Sequence, residues 1–336
     1  MRAAVLYGPR GLRLSDVPVP EPGPGEVLVR VRACGVCGTD VHIVAGEAPA
    51  SPPVILGHEY AGEVVAVGPG VARLRAGDRV VVDPNITCGQ CPSCRAGRPH
   101  LCQNLKALGV TLDGGFAEYC AVPAAQAYQL APRLSYAEAS LVEPVACCLH
   151  GIDLAAVRAG DSVVIFGAGS IGLILLQLAR LRGAGFVVVS EPAAGKRELA
   201  RRLGADAILD PSDADPVAAV RELVPDGPRV VIEAVGRGET VVQAVEVAGY
   251  GATVLLFGVC PERLQVPVEP YAVYRKELRI QGAFINPFTF ARAIDLLEHG
   301  RLDVGSLITH RLPLDEISEA LSSKLRQDAV KVIVET

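Results

Sequence analysis

Polar and apolar positions alternate along the first part of the chain. Leu12, Leu14 and Val17 are spaced by polar residues, a proline- and glycine-rich segment fills 18–25, and an apolar run from Val27 to Ala33 is broken by Arg30 and Arg32. Residues 62–67 and 79–82 read as further strands, with Gly77-Asp78 as a turn between them. Short β-rich runs punctuated by Pro and Gly predict an antiparallel, barrel-like domain, with little helix before about residue 140.

The period then changes. Residues 136–141 predict a short helix, Glu143-Pro144 a break, and 145–154 a helix leading into a second domain. The wholly apolar run Val163-Val164-Ile165-Phe166 reads as a buried strand. Strands at 186–189, 207–209, 230–232, 254–257 and 278–280 alternate with helical stretches through 182 and at 196–203, 217–223 and 239–247. Such alternation predicts the α/β doubly wound architecture, a parallel sheet covered on both faces. Beyond Gly282 the chain is expected to return to the first domain, with amphipathic helices at 289–298 and 315–325 and a closing strand at 330–334. At 336 residues the chain exceeds the size of a single core. The expected division is a discontinuous, mainly β domain, 1–144 and 279–336, around a dinucleotide-binding domain, 145–278.

Composition narrows the function classes. The net charge is −5 and no basic block is long enough to track a phosphate backbone, so nucleic acid is not an expected partner. Charged, Gly or Pro residues interrupt every apolar run short of a membrane span, and residues 1–7 lack a signal-peptide core, so a soluble, cytoplasmic protein is expected. Four of the ten cysteines crowd into one short loop, which in a large intracellular chain favours metal or free thiols over disulfides.

Within that loop, Cys88, Cys91 and Cys94 are followed by Cys102. Four thiolates so spaced can enclose one tetrahedral zinc with no open position, a structural site; free thiols or an iron–sulfur centre are the alternatives, and His100 is a less suitable ligand. A second constellation is Gly57-His58-Glu59, with Cys37 supplied from another loop. Sulfur, imidazole and carboxylate with one position left open make a catalytic zinc arrangement; an ordinary polar turn is the bland reading. Cys34 and Cys37 form a C-x-x-C, but no helix N-terminus is evident there to depress a thiol pKa, which argues against a redox pair. The glycine fingerprint Gly167-Ala168-Gly169-Ser170-Ile171-Gly172 follows a predicted strand, opens a helix and is answered by Glu191 at the end of the next strand. Its glycines admit a pyrophosphate at the helix N-terminus, and Glu191 accepts bonds from the adenosine ribose. A carboxylate there repels a 2′-phosphate, so NAD is expected in preference to NADP, although Lys196 and Arg197 lie close in sequence.

These motifs, with Gly38-Thr39-Asp40-Val41-His42, Gly62, Gly68 and Glu143-Pro144, resemble those of the medium-chain, zinc-dependent alcohol dehydrogenase family, and within it the polyol branch around sorbitol (L-iditol) and threonine dehydrogenases. The resemblance covers essentially the whole chain. It implies a Rossmann sheet with a GroES-like catalytic domain, and two zincs per chain. Cys37 and His58 would hold catalytic zinc, with Glu59 as third ligand or close by, and Glu143 reaching the metal directly or through water. Thr39 and His42 match the family's proton relay, and Lys196 and Val259 fall at cofactor-binding positions. The implied reaction is hydride transfer between NAD and a secondary alcohol, with a polyol, sugar alcohol or vicinal diol as the expected substrate and zinc lowering the pKa of the bound alcohol. A threonine dehydrogenase-like activity and a non-catalytic nucleotide-binding scaffold are the alternatives, and the branch implies a homotetramer or homodimer. At the expected substrate contacts the chain departs from sorbitol dehydrogenase, which has an arginine-tyrosine pair where this sequence has Ile285-Asn286.

Overall fold

The structure, a computed structural model, describes every residue except 323, 324 and 326–328. It separates into two compact units, Met1–Ala146 with Pro287–Thr336, and Cys147–Asn286.

The first unit is mainly β. Its larger sheet runs in the order Ala127–Gln129, Arg79–Val82, Glu59–Val67, Glu26–Gly35, Lys331–Glu335, Ile308–Pro313, and Tyr119–Pro123 also pairs with Glu26–Gly35. Strand Lys331–Glu335 lies antiparallel to Glu26–Gly35, so the C-terminal segment completes a sheet begun near the N-terminus. The pairing of Ile308–Pro313 with Lys331–Glu335 is parallel, so this sheet is mixed rather than wholly antiparallel. Val27, Val29 and Val31 are fully buried and pack with Tyr60, Val64, Val80 and Phe116 in one core, as the two-residue period requires.

In the second unit six parallel strands run in the order Ala207–Leu209, Phe186–Ser190, Ser162–Phe166, Val230–Glu233, Thr253–Leu256, Arg279–Gly282. Counted along the chain this is 3-2-1-4-5-6, the doubly wound order that brings ligands to the carboxyl ends of the strands. Val163, Val164 and Ile165 are all completely buried, because both faces of a central strand are covered.

Four expectations change. A helix, Gly38–Ala45, begins right after Cys37 inside the β-rich domain. Glu143-Pro144 is not a break but lies in the first turn of helix Val142–Ala155; proline is tolerated there because first-turn N–H groups have no intrahelical acceptor. The sheet unit extends past 278 to Asn286, since Arg279–Gly282 pairs with Thr253–Leu256. The helix expected at 315–325 is a 3-10 turn, Leu314–Glu316, followed by the short helix Ile317–Ala320, and its far end falls partly outside the described residues.

Candidate active site

Strand register builds the first cluster. Gly35 stands opposite Glu59 and Cys34 opposite Tyr60, so the end of one strand lies beside the start of the other. The chain leaves Gly35 and turns into helix Gly38–Ala45 with Cys37 as N-cap, where the Cys37 N–H donates to Asp40 Oδ2 at 2.8 Å. This turn brings thiol, imidazole and carboxylate together: ligand atoms of Cys37, His58 and Glu59 all lie within 4.8 Å of one another. Asp40 is completely buried, with Oδ1 3.3 Å from His58 Nδ1, though without hydrogen-bond alignment. With Nδ1 turned to a carboxylate, Nε2 is the atom left for an ion. Burial alone would lower the His58 pKa, but the charges of Asp40 and Cys37 outweigh it and the net direction is well upward.

Glu59 has a second partner. Lys331 Nζ donates to Glu59 Oε2, both side chains being 2% exposed, and also to Val36 O at 3.0 Å. Burial alone would pull the Lys331 pKa down; Glu59, then Cys37 and Asp40, carry it upward, so the ammonium stays charged. Gly35 makes room for the pair, since a Cβ there would run into the Glu59 carboxylate and the Lys331 stem.

Thr39 Oγ1 accepts from the Cys37 thiol at 3.6 Å. His42, one turn further along the same helix, is 39% exposed, and its Nδ1 lies 2.7 Å from Glu47 Oε2. Glu143 does not join the cluster: among the described residues the group is Cys37, His58 and Glu59. It is buried in the first turn of helix Val142–Ala155, outside the strand register that assembles the other three. The helix N-terminus at Cys37 also overturns the reason for discounting the C-x-x-C. Cys34 nevertheless is completely buried, and that burial first, then Asp40 and Glu59, push its thiol well up, opposite to an exchange-active thiol.

The Sγ atoms of Cys88, Cys91, Cys94 and Cys102 form a second group within 4.8 Å, without His100. The N–H groups of Cys88 and Asn104 each donate to Cys102 Sγ at 3.3 Å. Backbone donors at Gln90 and Cys91 pull the Cys88 thiol down to about 6, while burial and then the neighbouring thiols push Cys94 up to about 12. Four thiolates this close repel one another unless a cation sits among them, and four sulfurs around one zinc leave no open position.

In the second unit, Gly169 is the N-cap of helix Ser170–Leu181 and Ser170, Ile171 and Gly172 form its first turn. A Cβ at Gly172 would collide with Gly167 O, whereas nothing lies within 4 Å of one at Gly169. The closed side lets helix and strand pack; the open side is room for a pyrophosphate. Glu191 Oε2 accepts from Ala168 N–H at 2.8 Å and Oε1 from Ala193 N–H at 3.0 Å, which fixes its carboxylate beside that turn. Lys196 is half-buried on helix Ala194–Arg202. Val259 is 71% exposed beyond strand Thr253–Leu256, its backbone against Gly236. Ile285 has a left-handed φ of 46°, and Asn286 is buried.

Two family models match the chain, the alcohol dehydrogenase GroES-like domain over residues 23–132 and the zinc-binding dehydrogenase domain over 170–299. A D-arabinitol dehydrogenase of Uromyces fabae is 36% identical over 99% of this chain and 97% of its own length. An L-threonine 3-dehydrogenase of Thermococcus kodakarensis is 37% identical over 92% of this chain and 90% of its own. Among solved structures, a zinc-binding dehydrogenase of Sinorhizobium meliloti bound to NADP superposes with a TM-score of 0.97 at 46% identity, covering 100% of this chain and 99% of that one. The chain belongs to the zinc-dependent medium-chain alcohol dehydrogenase family. Within it, the chain falls in the polyol branch. Zinc and a nicotinamide nucleotide are the groups this alcohol dehydrogenase takes up.

The donor sets fit zinc in this dehydrogenase, with three mixed ligands in one group and four thiols in the other. Sequence reasoning missed three buried charged residues, two beside the Cys37 cluster and one in the parallel-sheet unit. Asp40 stands at the third helical position after Cys37, a spacing typical of a carboxylate that caps a helix N-terminus. Lys331 is the first residue of the closing strand, directly ahead of the apolar run Val332-Ile333-Val334. Glu233, completely buried, accepts at Oε1 from Val235 N–H (2.9 Å), Gly236 N–H (2.8 Å) and the Thr240 hydroxyl (2.7 Å), which organises the turn after strand Val230–Glu233.

Proposed function

We propose that this chain oxidises secondary alcohols of the polyol or vicinal diol class with NAD⁺, and that it carries one catalytic and one structural zinc. The observation that carries the reading is the cluster of Cys37, His58 and Glu59, a three-ligand set of the kind that leaves a position for substrate. Zinc, when bound, supplies a Lewis acid that makes an alcohol proton easier to remove. Cys37 and His58 hold the metal, Asp40 fixes the His58 ring, and Glu59 completes or borders the shell under the control of Lys331. Thr39, beside Cys37, accepts the alcohol proton as its own hydroxyl proton is passed on, and His42, partly exposed on the same helix, releases a proton to solvent. Glu143 acts on substrate or on the outer edge of the metal site rather than as one of the three clustered ligands. Gly167, Gly169, Ser170, Ile171 and Gly172 seat the pyrophosphate, and Lys196 and Val259 border the nucleotide. Glu191 selects NAD, although the Sinorhizobium relative was solved with NADP.

Threonine oxidation is the second reading, favoured by the 37% identity to the Thermococcus enzyme. A reducing, cytoplasmic location agrees with ten cysteines that form no disulfide. Among the described residues no helix is long and apolar enough to cross a membrane. The test is metal analysis together with an NAD⁺ reduction screen over polyols, diols, polyol phosphates and threonine. Two zincs and turnover of a polyol or diol are expected; a single zinc without turnover of any alcohol would leave only the nucleotide-binding scaffold.

A further inference from the structure

Glu191 is not the only charged residue that shapes the adenosine end of the nucleotide site. Arg197 lies on the next helix, and its Nη1 donates to Glu191 O at 3.0 Å and to Pro192 O at 2.5 Å. The same nitrogen stands 2.6 Å from Asp210 Oδ2, with the two side chains 19% and 17% exposed. Asp210 follows strand Ala207–Leu209, the edge of the parallel sheet, at the carboxyl-end position where doubly wound sheets place ligand-facing residues. Its Oδ1 accepts from Ser212 N–H at 2.9 Å. Strands are tied here as well, since Glu191 N–H donates to Leu209 O at 3.0 Å.

The consequence concerns charge. A cofactor with a free 2′-hydroxyl needs an acceptor beside the ribose, and each Glu191 oxygen, already accepting one backbone N–H, keeps a lone pair for it. A cofactor with a 2′-phosphate needs a cation there, and a guanidinium is the side chain best shaped to meet phosphate. Arg197 is within reach of the Glu191 turn but is committed to two carbonyls and a carboxylate. We propose that Asp210 is a determinant of cofactor choice: by pairing with Arg197 it keeps that guanidinium from a 2′-phosphate and leaves Glu191 as the dominant charge at the ribose. Ser212 first, and then Arg197, hold the Asp210 carboxyl below its usual range, so it is charged throughout the neutral region.

This inference rests on the reading of Glu191 as the ribose-binding residue, and the two fail separately. The measurement is calorimetric binding of NAD⁺ and NADP⁺, without turnover, to the zinc-loaded protein and to Asp210→Asn, Arg197→Met, the double variant and Glu191→Ala. Asp210→Asn keeps an oxygen for Ser212 and is expected to lower the ratio of Kd for NADP⁺ to Kd for NAD⁺ about tenfold, the size of one charge-assisted contact. The double variant is expected to return the ratio to that of Arg197→Met, because the released guanidinium is gone. NADP⁺ binding to Asp210→Asn should also weaken more steeply with salt than in the parent. An unchanged ratio in a folded Asp210→Asn, or a lowered ratio that persists in the double variant, overturns the proposal. If Glu191→Ala alters neither affinity, the underlying reading of the ribose site is what has failed.

Discussion

At Glu59 a carboxylate that borders the metal cluster is already paired with the ammonium of Lys331, and both side chains are 2% exposed. Removing one partner of such a buried pair typically costs about 3–5 kcal/mol, because the other charge is left without compensation. A zinc ion beside Glu59 supplies another cation, so the loss should depend on metal. Lys331→Met is therefore expected to lose stability in denaturant titrations when stripped of zinc and much less when loaded; equal losses in both states would remove Glu59 from the metal's surroundings. Asp40→Asn keeps the bond to the Cys37 N–H but removes the charge beside His58 Nδ1. It should weaken zinc binding about 10–100-fold, read by competition with a chelator, while the fold stays intact. The grouping of Cys37 with His58 and Glu59 was legible because residue type carries the chemistry and His58 and Glu59 are neighbours in sequence. Asp40 and Lys331 were not, because one acts through a buried contact across two elements and the other reaches its partner from 272 positions away.

Elements were legible where a period was long and escaped where a tertiary contact decided. The six strands of the parallel sheet follow from apolar runs, yet helix Gly38–Ala45 is too short to declare a period among β-rich neighbours. Glu143-Pro144 misleads for a local reason, since proline stops a helix only beyond its first turn. In the four-cysteine loop the thiols are held by turns and the four-residue helix Pro92–Arg95, so Cys94→Ser should release one zinc and lower the melting temperature, whereas Cys37→Ser should abolish turnover with little change in melting. Equal effects of both substitutions on melting and on rate would erase the distinction between the two metal groups. The segment after strand Arg279–Gly282 holds the two residues expected at the substrate, Ile285 and Asn286. Ile285, a β-branched residue at φ 46°, occupies a conformation that costs about 1–2 kcal/mol, and such strain is concentrated at functional sites. An isoleucine cannot offer hydrogen bonds to a hydroxyl-rich substrate, and unpaired polar groups reduce affinity. Sorbitol is thus expected to give a lower kcat/KM than a shorter diol or a stereoisomeric polyol, and Asn286→Ala should change that ranking. Sorbitol ranking first on a matched panel would refute the assignment of this segment to the substrate.

For the whole molecule, the chain path itself is the informative feature: the first unit is begun at the N-terminus, interrupted by the parallel sheet and completed by strand Lys331–Glu335. That discontinuity was readable from the return to strand and helix patterns after Gly282, but the assembly state was not, because no residue pattern within one chain counts its copies. The structure supplies one argument. Among the described residues strand Arg279–Gly282 pairs on one side only, with Thr253–Leu256, and so presents the backbone edge of a six-stranded sheet. Ile280 on that edge is 40% exposed, and Tyr271 and Tyr274, on the helix just before it, are 65% and 78% exposed. Soluble proteins blunt such edges with charge, proline or a cover, and a two-fold axis lets two copies satisfy each other's edge with the same surface. The expected state is therefore a homodimer or a homotetramer built from such pairs. Ile280→Lys would set two like charges near that axis in an assembly while costing an exposed position in the monomer little. Light scattering coupled to size-exclusion chromatography should report a multiple of the chain mass for the parent and a smaller mass for Ile280→Lys, with the monomer's melting cooperative. A monomeric parent would dismiss self-association outright, and an oligomer whose mass survives Ile280→Lys would move its interface away from this edge.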